Sequence, residues 1–267
     1  MSGTFTLERR LREIISSIPG QAAVAVTCGS WEFSHQHHAR LPAASIIKLL
    51  ILLEAFRAQA AGRLDLDAPV PVRAADLVGG MGVLARLRSV AELSLRDLAS
   101  LMIMVSDNTA TNLVIDAVGM DRVNQLAGEL GLAATSLQRR MMDFEARARG
   151  LDNYTSAADT VRILQAIWNG NLTGYQGRDA MLDILRHQQF NHKLPARFAQ
   201  VTPGDPVLAH KTGELPGIEH NAGIIEKPGL PLFVAVLTTG LASNHAGQQA
   251  IAYMGEALFN WATATLE

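Results

Sequence analysis

The strand-like stretches of this chain sit near its two ends, and the long middle reads as helices. Gln21–Cys28 (QAAVAVTC) is an apolar run of buried-strand character. A turn at Gly29-Ser30 leads from it into a second short strand near Trp31–Phe33. The next strand-like runs come only at Pro206–Lys211, Ile218–Ile225 and Leu232–Thr238. Phe233-Val234-Ala235-Val236-Leu237 is the most strand-like segment of all. Buried strands need partners for their backbone groups, so the two ends must meet in one sheet, and the middle must leave it and return. The predicted fold class is therefore α+β. An antiparallel sheet is flanked by terminal helices, with residues 1–40 and 206–267 as a discontinuous α/β lobe. Residues 41–205 form an inserted all-helical lobe.

Helical spacing supports the insert. Leu7, Leu11, Ile14 and Ile15 mark a first helix over residues 5–17, stopped by Pro19-Gly20. A polar loop leads to Pro42 and to a helix that starts near Ser45 and runs to about Ala60. Leu64–Arg88 is loop-rich around Gly79-Gly80-Met81-Gly82. Ser94 with Asp97 opens another helix, and Leu98, Leu101, Met102 and Val105 form its apolar face. Asn108–Val118 and Asp121–Leu130 follow, with Gly119 and Gly131 as C-terminal caps. Thr155 and Ser156 open a helix through Trp168, Gln176–His187 is another, and Ser243 caps a last one to about Thr265.

Composition narrows the class. The chain has 267 residues, 48% of them hydrophobic, enough for a sizeable core. Its 23 basic and 25 acidic residues are interspersed, which gives no footprint for nucleic acid and no polybasic membrane patch. No apolar run is long enough for a membrane span. No signal peptide is visible, so the chain as written reads as cytoplasmic, while a processed N-terminus would fit the periplasm or secretion equally. A monomer is expected. Cys28 is the only cysteine, which excludes an intrachain disulfide.

The chemistry concentrates in three short motifs. Ser45-Ile46-Ile47-Lys48 puts a hydroxyl and an amine three residues apart, on one face of a helix start. A serine hydroxyl needs a base to become a nucleophile, and a lysine can be that base once burial lowers its pKa. Ser106-Asp107-Asn108 follows the apolar run Leu101–Val105 at a helix–helix junction. Lys211-Thr212-Gly213 ends a predicted strand. In this order, 61 and then 105 residues apart, these motifs resemble the signature of penicillin-recognising serine hydrolases, class A β-lactamases in particular. Pro42-Ala43-Ala44, Ser106 through Asn112, Gly82-Val83-Leu84 and Met141-Met142-Asp143 extend the resemblance over most of the chain.

The resemblance implies a cleft between the two lobes and β-lactam hydrolysis through an acyl-enzyme. Ser45 would be the acylated nucleophile, Lys48 its proton acceptor and Ser106 the shuttle to the departing nitrogen. Asn108 would bind the substrate's side-chain amide, and Lys211, Thr212 and Gly213 its carboxylate edge. The N–H groups of Ser45 and Glu214 would form the oxyanion hole. No metal or organic cofactor is implied. The partner is a small β-lactam, peptide or ester substrate. The family also uses a loop glutamate to activate the deacylating water. Aligning Thr135, Leu137 and Arg139 with the loop entry puts Met141 at that place. Asp143 and Glu145 are either ordinary loop carboxylates or, for Glu145, a displaced base. Asn153 stands where an aspartate usually pairs with the arginine, here Arg139. Glu214 introduces a carboxylate that would repel an anionic substrate. The alternatives are therefore a D-alanyl-D-alanine peptidase or small-ester hydrolase on the same scaffold, or a penicillin-binding module that acylates without turnover. His35, His37 and His38 read as a solvated patch. His210 and His220 flank the Lys-Thr-Gly strand and either tune the site's charge near neutral pH or simply face the neighbouring strand.

Overall fold

The computed structural model describes residues 2–198, 206–227 and 230–264. Helix α1 (Ser2–Ser16) leads into β1 (Gln21–Cys28), β2 (Trp31–His35) and the short β3 (Leu41–Pro42). One 3₁₀ turn, Ala44–Ile47, opens α2 (Lys48–Ala60). The middle holds β4 (Pro69–Pro71), β5 (Glu92–Ser94), α3 (Leu95–Met104), α4 (Asn108–Val118) and α5 (Met120–Glu129). Then come α6 (Phe144–Ala148), β6 (Tyr154–Thr155), α7 (Ala157–Asn169) and α8 (Gly174–Arg186). The chain returns as β7 (Val207–Leu215), β8 (Ile218–Glu226) and β9 (Leu232–Thr239), and α9 (Asn244–Ala264) follows.

Both ends meet in one antiparallel sheet of order β2-β1-β9-β8-β7. Alternation along the strands decides what each face touches. Val24 and Val26 of β1, with Val234 and Val236 of β9, pack under Leu7, Leu11 and Ile14 of α1 and Ile251, Met254 and Leu258 of α9. Ala23, Ala25, Phe233, Ala235 and Leu237 point the other way and join the larger core of the helical insert. Small alanines on that face let α7 lie close to the sheet. At the centre of the insert, α2 is buried almost all round, from Lys48 to Phe56. Its one carboxylate, Glu54, is fully buried and paired with Arg57 and Arg63.

Two caps fall where the sequence places them: the side chains of Ser94 and Ser156 accept from the amides of Asp97 and Asp159. A further cap, Asp107, accepts from the Ala110 amide at the start of α4. Some boundaries differ. Strand β7 continues through Lys-Thr-Gly to Leu215, because the true stop is Pro216-Gly217, where Gly217 has φ 72°. Helix α6 is a single short turn capped by Asp143, too brief to show a period in sequence. The expected helix end at Thr265 and the lobe boundary at 205 lie outside the described residues. No helix among the described residues is long and apolar enough to cross a membrane.

Candidate active site

Ser45 lies in the 3₁₀ turn rather than in the first turn of α2. At three residues per turn, positions i and i+3 eclipse, so Lys48 still shares the face of Ser45. The turn is held from two sides. The Ala43 amide donates to Asn153 O at 2.8 Å, and β3 pairs with β6. On the sheet side, a Cβ on Gly213 would come within 3.2–3.3 Å of Ile46 and Ala44, so a side chain there would push β7 and the turn apart by a few tenths of an ångström. His220 Nε2 donates to Pro42 O at 2.8 Å from the neighbouring strand. Ala44, at φ 45°, carries local strain directly before the serine.

Lys48 is completely buried, and its three N–H groups have three acceptors. These are Ser106 O at 2.8 Å, Ser106 Oγ at 3.1 Å and Asn108 Oδ1 at 3.1 Å. Ser106 Oγ in turn donates to Ser45 Oγ at 3.0 Å. The amine and the first hydroxyl are thus joined through the second hydroxyl. Burial pulls the Lys48 pKa down to about 7, against the upward influence of Asp107. An amine of that basicity, one hydroxyl away from Ser45, is half neutral near pH 7 and can take a proton along this line.

Asp107 builds the corner. It caps α4 through Ala110 N and accepts from the amides of Val83 and Leu84, both at 2.7 Å. The loop before Val83 passes so close that a Cβ on Gly82 would lie 2.3–2.4 Å from Asp107 atoms. This contact places Ser106, at φ 54°, with its hydroxyl toward Lys48. Asn108 Nδ2 donates to Gly79 O at 3.1 Å, so the same glycine loop orients the amide.

Lys211 is buried on β7 and donates to Thr212 O at 2.9 Å. Burial first, then Lys48, then Lys193 drive its pKa well below the ordinary lysine value, with Glu214 opposing. The two site lysines are therefore electrostatically coupled. Glu214, by contrast, does not present an unpaired carboxylate. Its Oε1 lies 3.0 Å from Lys193 Nζ and accepts from His192 Nε2 at 3.0 Å. Burial raises its pKa, yet Lys193 and His192 more than offset this and hold the carboxyl low. The expected repulsion of an anion is corrected accordingly. His210 and His220 do not tune charge near neutrality either. Burial lowers their pKa values to about 3 and about 4, so both are neutral imidazoles.

The loop between Ser136 and Tyr154 is closed by paired backbone hydrogen bonds at its base. Arg139 finds its partner one residue early, in Asp152 at 2.7 Å, while the Asn153 amide brackets Gln138 N and Arg139 N and O. Met141 is buried and fixed by Asn112, which accepts from Met141 N at 2.8 Å and donates to Met141 O at 3.1 Å. Its side chain lines a cavity of about 210 Å³ together with Ser45, Met81, Asn108, Met142, Phe144, Glu214 and Leu215. Glu145 is not among the lining residues. It is exposed on α6, the short helix whose N-terminus Asp143 caps through Ala146 N. The structure thus corrects the placement of Glu145 at the site. Lys193 and Glu219, which brace the far side of β7 and β8, give no sequence signal beyond two isolated charges.

This arrangement has known relatives. A family model for the Beta-lactamase enzyme family matches residues 6–262. The chain belongs to this family. A β-lactamase structure from Sphaerobacter thermophilus is 33% identical, with a TM-score of 0.88, over 97% of this chain and 96% of that one. PBP-A is 26% identical, with a TM-score of 0.84, over 96% and 95%. A mutant of PBP-A has been described as an acyl-enzyme complex with penicillin G. Among curated relatives, the β-lactamase of Rhodobacter capsulatus is 28% identical over 67% of this chain, and the match spans 61% of that enzyme.

Proposed function

We propose that this β-lactamase-family chain opens β-lactam amides by acylation of Ser45 and releases the acyl group slowly. The observation that carries the reading is the line Lys48 Nζ–Ser106 Oγ–Ser45 Oγ, with links of 3.1 and 3.0 Å. With Lys48 neutral, the line runs as an acceptor chain. The Ser45 proton passes to Ser106 as the Ser106 proton passes to Lys48, and Ser45 Oγ bonds to the carbonyl carbon. The carbon–nitrogen bond then breaks. The nitrogen takes its proton from Ser106, Lys48 returns its own to Ser106, and the products are an ester on Ser45 and a free amine. The backbone N–H groups of Ser45 and Glu214 stabilise the oxyanion, a single such donor contributing about 3 kcal/mol. Lys211 and Thr212 receive the substrate carboxylate, whose negative charge favours the protonated form of Lys211. Asn108 keeps one amide hydrogen for the substrate's side chain.

Slow release is the consequence of Met141. A thioether cannot take a proton from water, and it occupies the cavity wall where the family's loop glutamate is expected. The acyl-enzyme of the PBP-A mutant supports the chemistry by analogy. A second reading, a D-alanyl-D-alanine peptidase or small-ester hydrolase, draws on the same absence of a loop base. It is distinguished by turnover of a short p-nitrophenyl ester while penicillin forms only a lasting adduct. Covalent labelling tests the nucleophile. A fluorescent penicillin should mark the wild type at Ser45 by peptide mapping and leave Ser45→Ala unmarked. Persistent labelling of Ser45→Ala would refute the assignment.

A further inference from the structure

Lys193 is fully buried between β7, β8 and α9, although acylation of Ser45 makes no use of its amine. Its ammonium donates to Gly213 O at 3.1 Å and to His220 O at 3.3 Å. Two carboxylates hold it there. Glu214 and Glu219 face each other across the β7–β8 register, a pairing of like charges that is unfavourable alone. Lys193 Nζ pairs with both. Glu219 is itself completely buried. Its Oε1 accepts from Asn244 Nδ2 at 2.8 Å and Gln248 Nε2 at 2.9 Å, while its Oε2, among the described residues, has only the ammonium. His192, Glu214 and Glu219 also converge as metal ligands would, but Lys193 already pairs with both carboxylates.

Gly213 O belongs to the same peptide group as Glu214 N–H. The group is planar and trans, so the N–H points opposite to the carbonyl. The carbonyl faces Lys193 and β8. The N–H therefore points over the outer edge of β7, which has no strand beyond it among the described residues, and Glu214 lines the cavity that holds Ser45. A cation on the carbonyl end polarises the peptide and strengthens its N–H as a donor.

We propose that Lys193 is a positioning residue for the oxyanion hole. Anchored by Glu219 and Glu214, it fixes and polarises the Gly213–Glu214 peptide. This rests on the reading of Ser45 as nucleophile and Glu214 N–H as oxyanion donor. Removing the buried pair together, Lys193→Met with Glu219→Gln, avoids stranding either charge. The double variant should melt close to the wild type yet be acylated by a chromogenic cephalosporin about 10-fold more slowly. In the acyl-enzyme made with carbonyl-labelled penicillin, its ester stretch should move to higher frequency, a signature of a weaker oxyanion hole that packing alone would not produce. If the double variant does not fold, Glu214→Gln carries the test, since Lys193 keeps Glu219. It should show the same two changes, each smaller. Unchanged acylation and an unchanged stretch in a folded variant would overturn the role of Lys193 while leaving Ser45 in place. A wild type that forms no adduct at all would instead overturn the nucleophile assignment, and this inference with it.

Discussion

On the proposed reading, Met141 decides the fate of the acyl-enzyme. It is buried, locked by both polar atoms of Asn112, and lines the cavity beside Ser45. Met141→Glu would bring a carboxylate to this wall. A positioned general base typically contributes 10²–10⁴-fold, so the variant should lose its acyl group about 100-fold faster or more, measured by intact mass after removal of excess penicillin. An unchanged release rate would mean that the loop position is not where water attacks. On the same reading, Lys48 would set the pH at which acylation begins. Burial leaves its pKa at about 7, and only the neutral amine accepts a proton. The acylation rate constant should therefore rise about tenfold per pH unit below 7 and level off above it, as followed by stopped-flow absorbance. A profile flat from pH 5 to 8 would exclude Lys48 as the base. Ser45, Lys48, Ser106 and Lys211 were legible in sequence because their motifs fix residue type and local spacing together. Glu145 was misplaced because sequence alone fixes loop positions poorly. Here Asp143 takes the cap and the next carboxylate faces solvent.

At the scale of the element, β7 and β8 carry two histidines that fold as neutral groups. Asn221 Nδ2 lies 3.1 Å from His210 Nδ1, and His210 Nε2 donates to Asn191 Oδ1 at 3.1 Å. His220 donates to Pro42 O and accepts from Thr238 N. Burial puts their pKa values at about 3 and about 4, below the ordinary histidine value of 6.5. Between those limits the unfolded chain binds more protons than the folded one, so stability is lost as pH falls below about 6.5. Each histidine contributes a slope of up to about 1.4 kcal/mol per pH unit. Urea unfolding from pH 7 to 5, above most carboxylate titration, should show this decline, and His210→Gln should flatten it. Stability independent of pH across that window would contradict the buried neutral state. The strand β7 was readable in part, as an expected strand over Pro206–Lys211. Its end was not, because the strand runs on past Lys-Thr-Gly to Leu215, with Gly213 packed closely against the turn that carries Ser45.

The whole molecule brings its two ends into one sheet, and the mainly helical middle packs against one face of it. That much was readable from where the strand-like runs lie. Periodicity could not show which insert residues close the cleft. The Gly79–Gly82 loop is placed by Asp107, and the Ser136–Tyr154 loop by Asn112, Asn124 and Asn153, all through long-range hydrogen bonds. Lys193 was invisible for the same reason, since its partners lie on β7, β8 and, through Glu219, α9. The most direct test of acylation with slow release is intact mass over time after mixing with a chromogenic cephalosporin, with absorbance followed in parallel. The expected result is one equivalent of colour in a burst and a Ser45 adduct that persists after the colour stops rising. Continuous colour with only a transient adduct would contradict the slow release assigned to Met141, and the absence of both colour and adduct would contradict acylation of Ser45 by β-lactams.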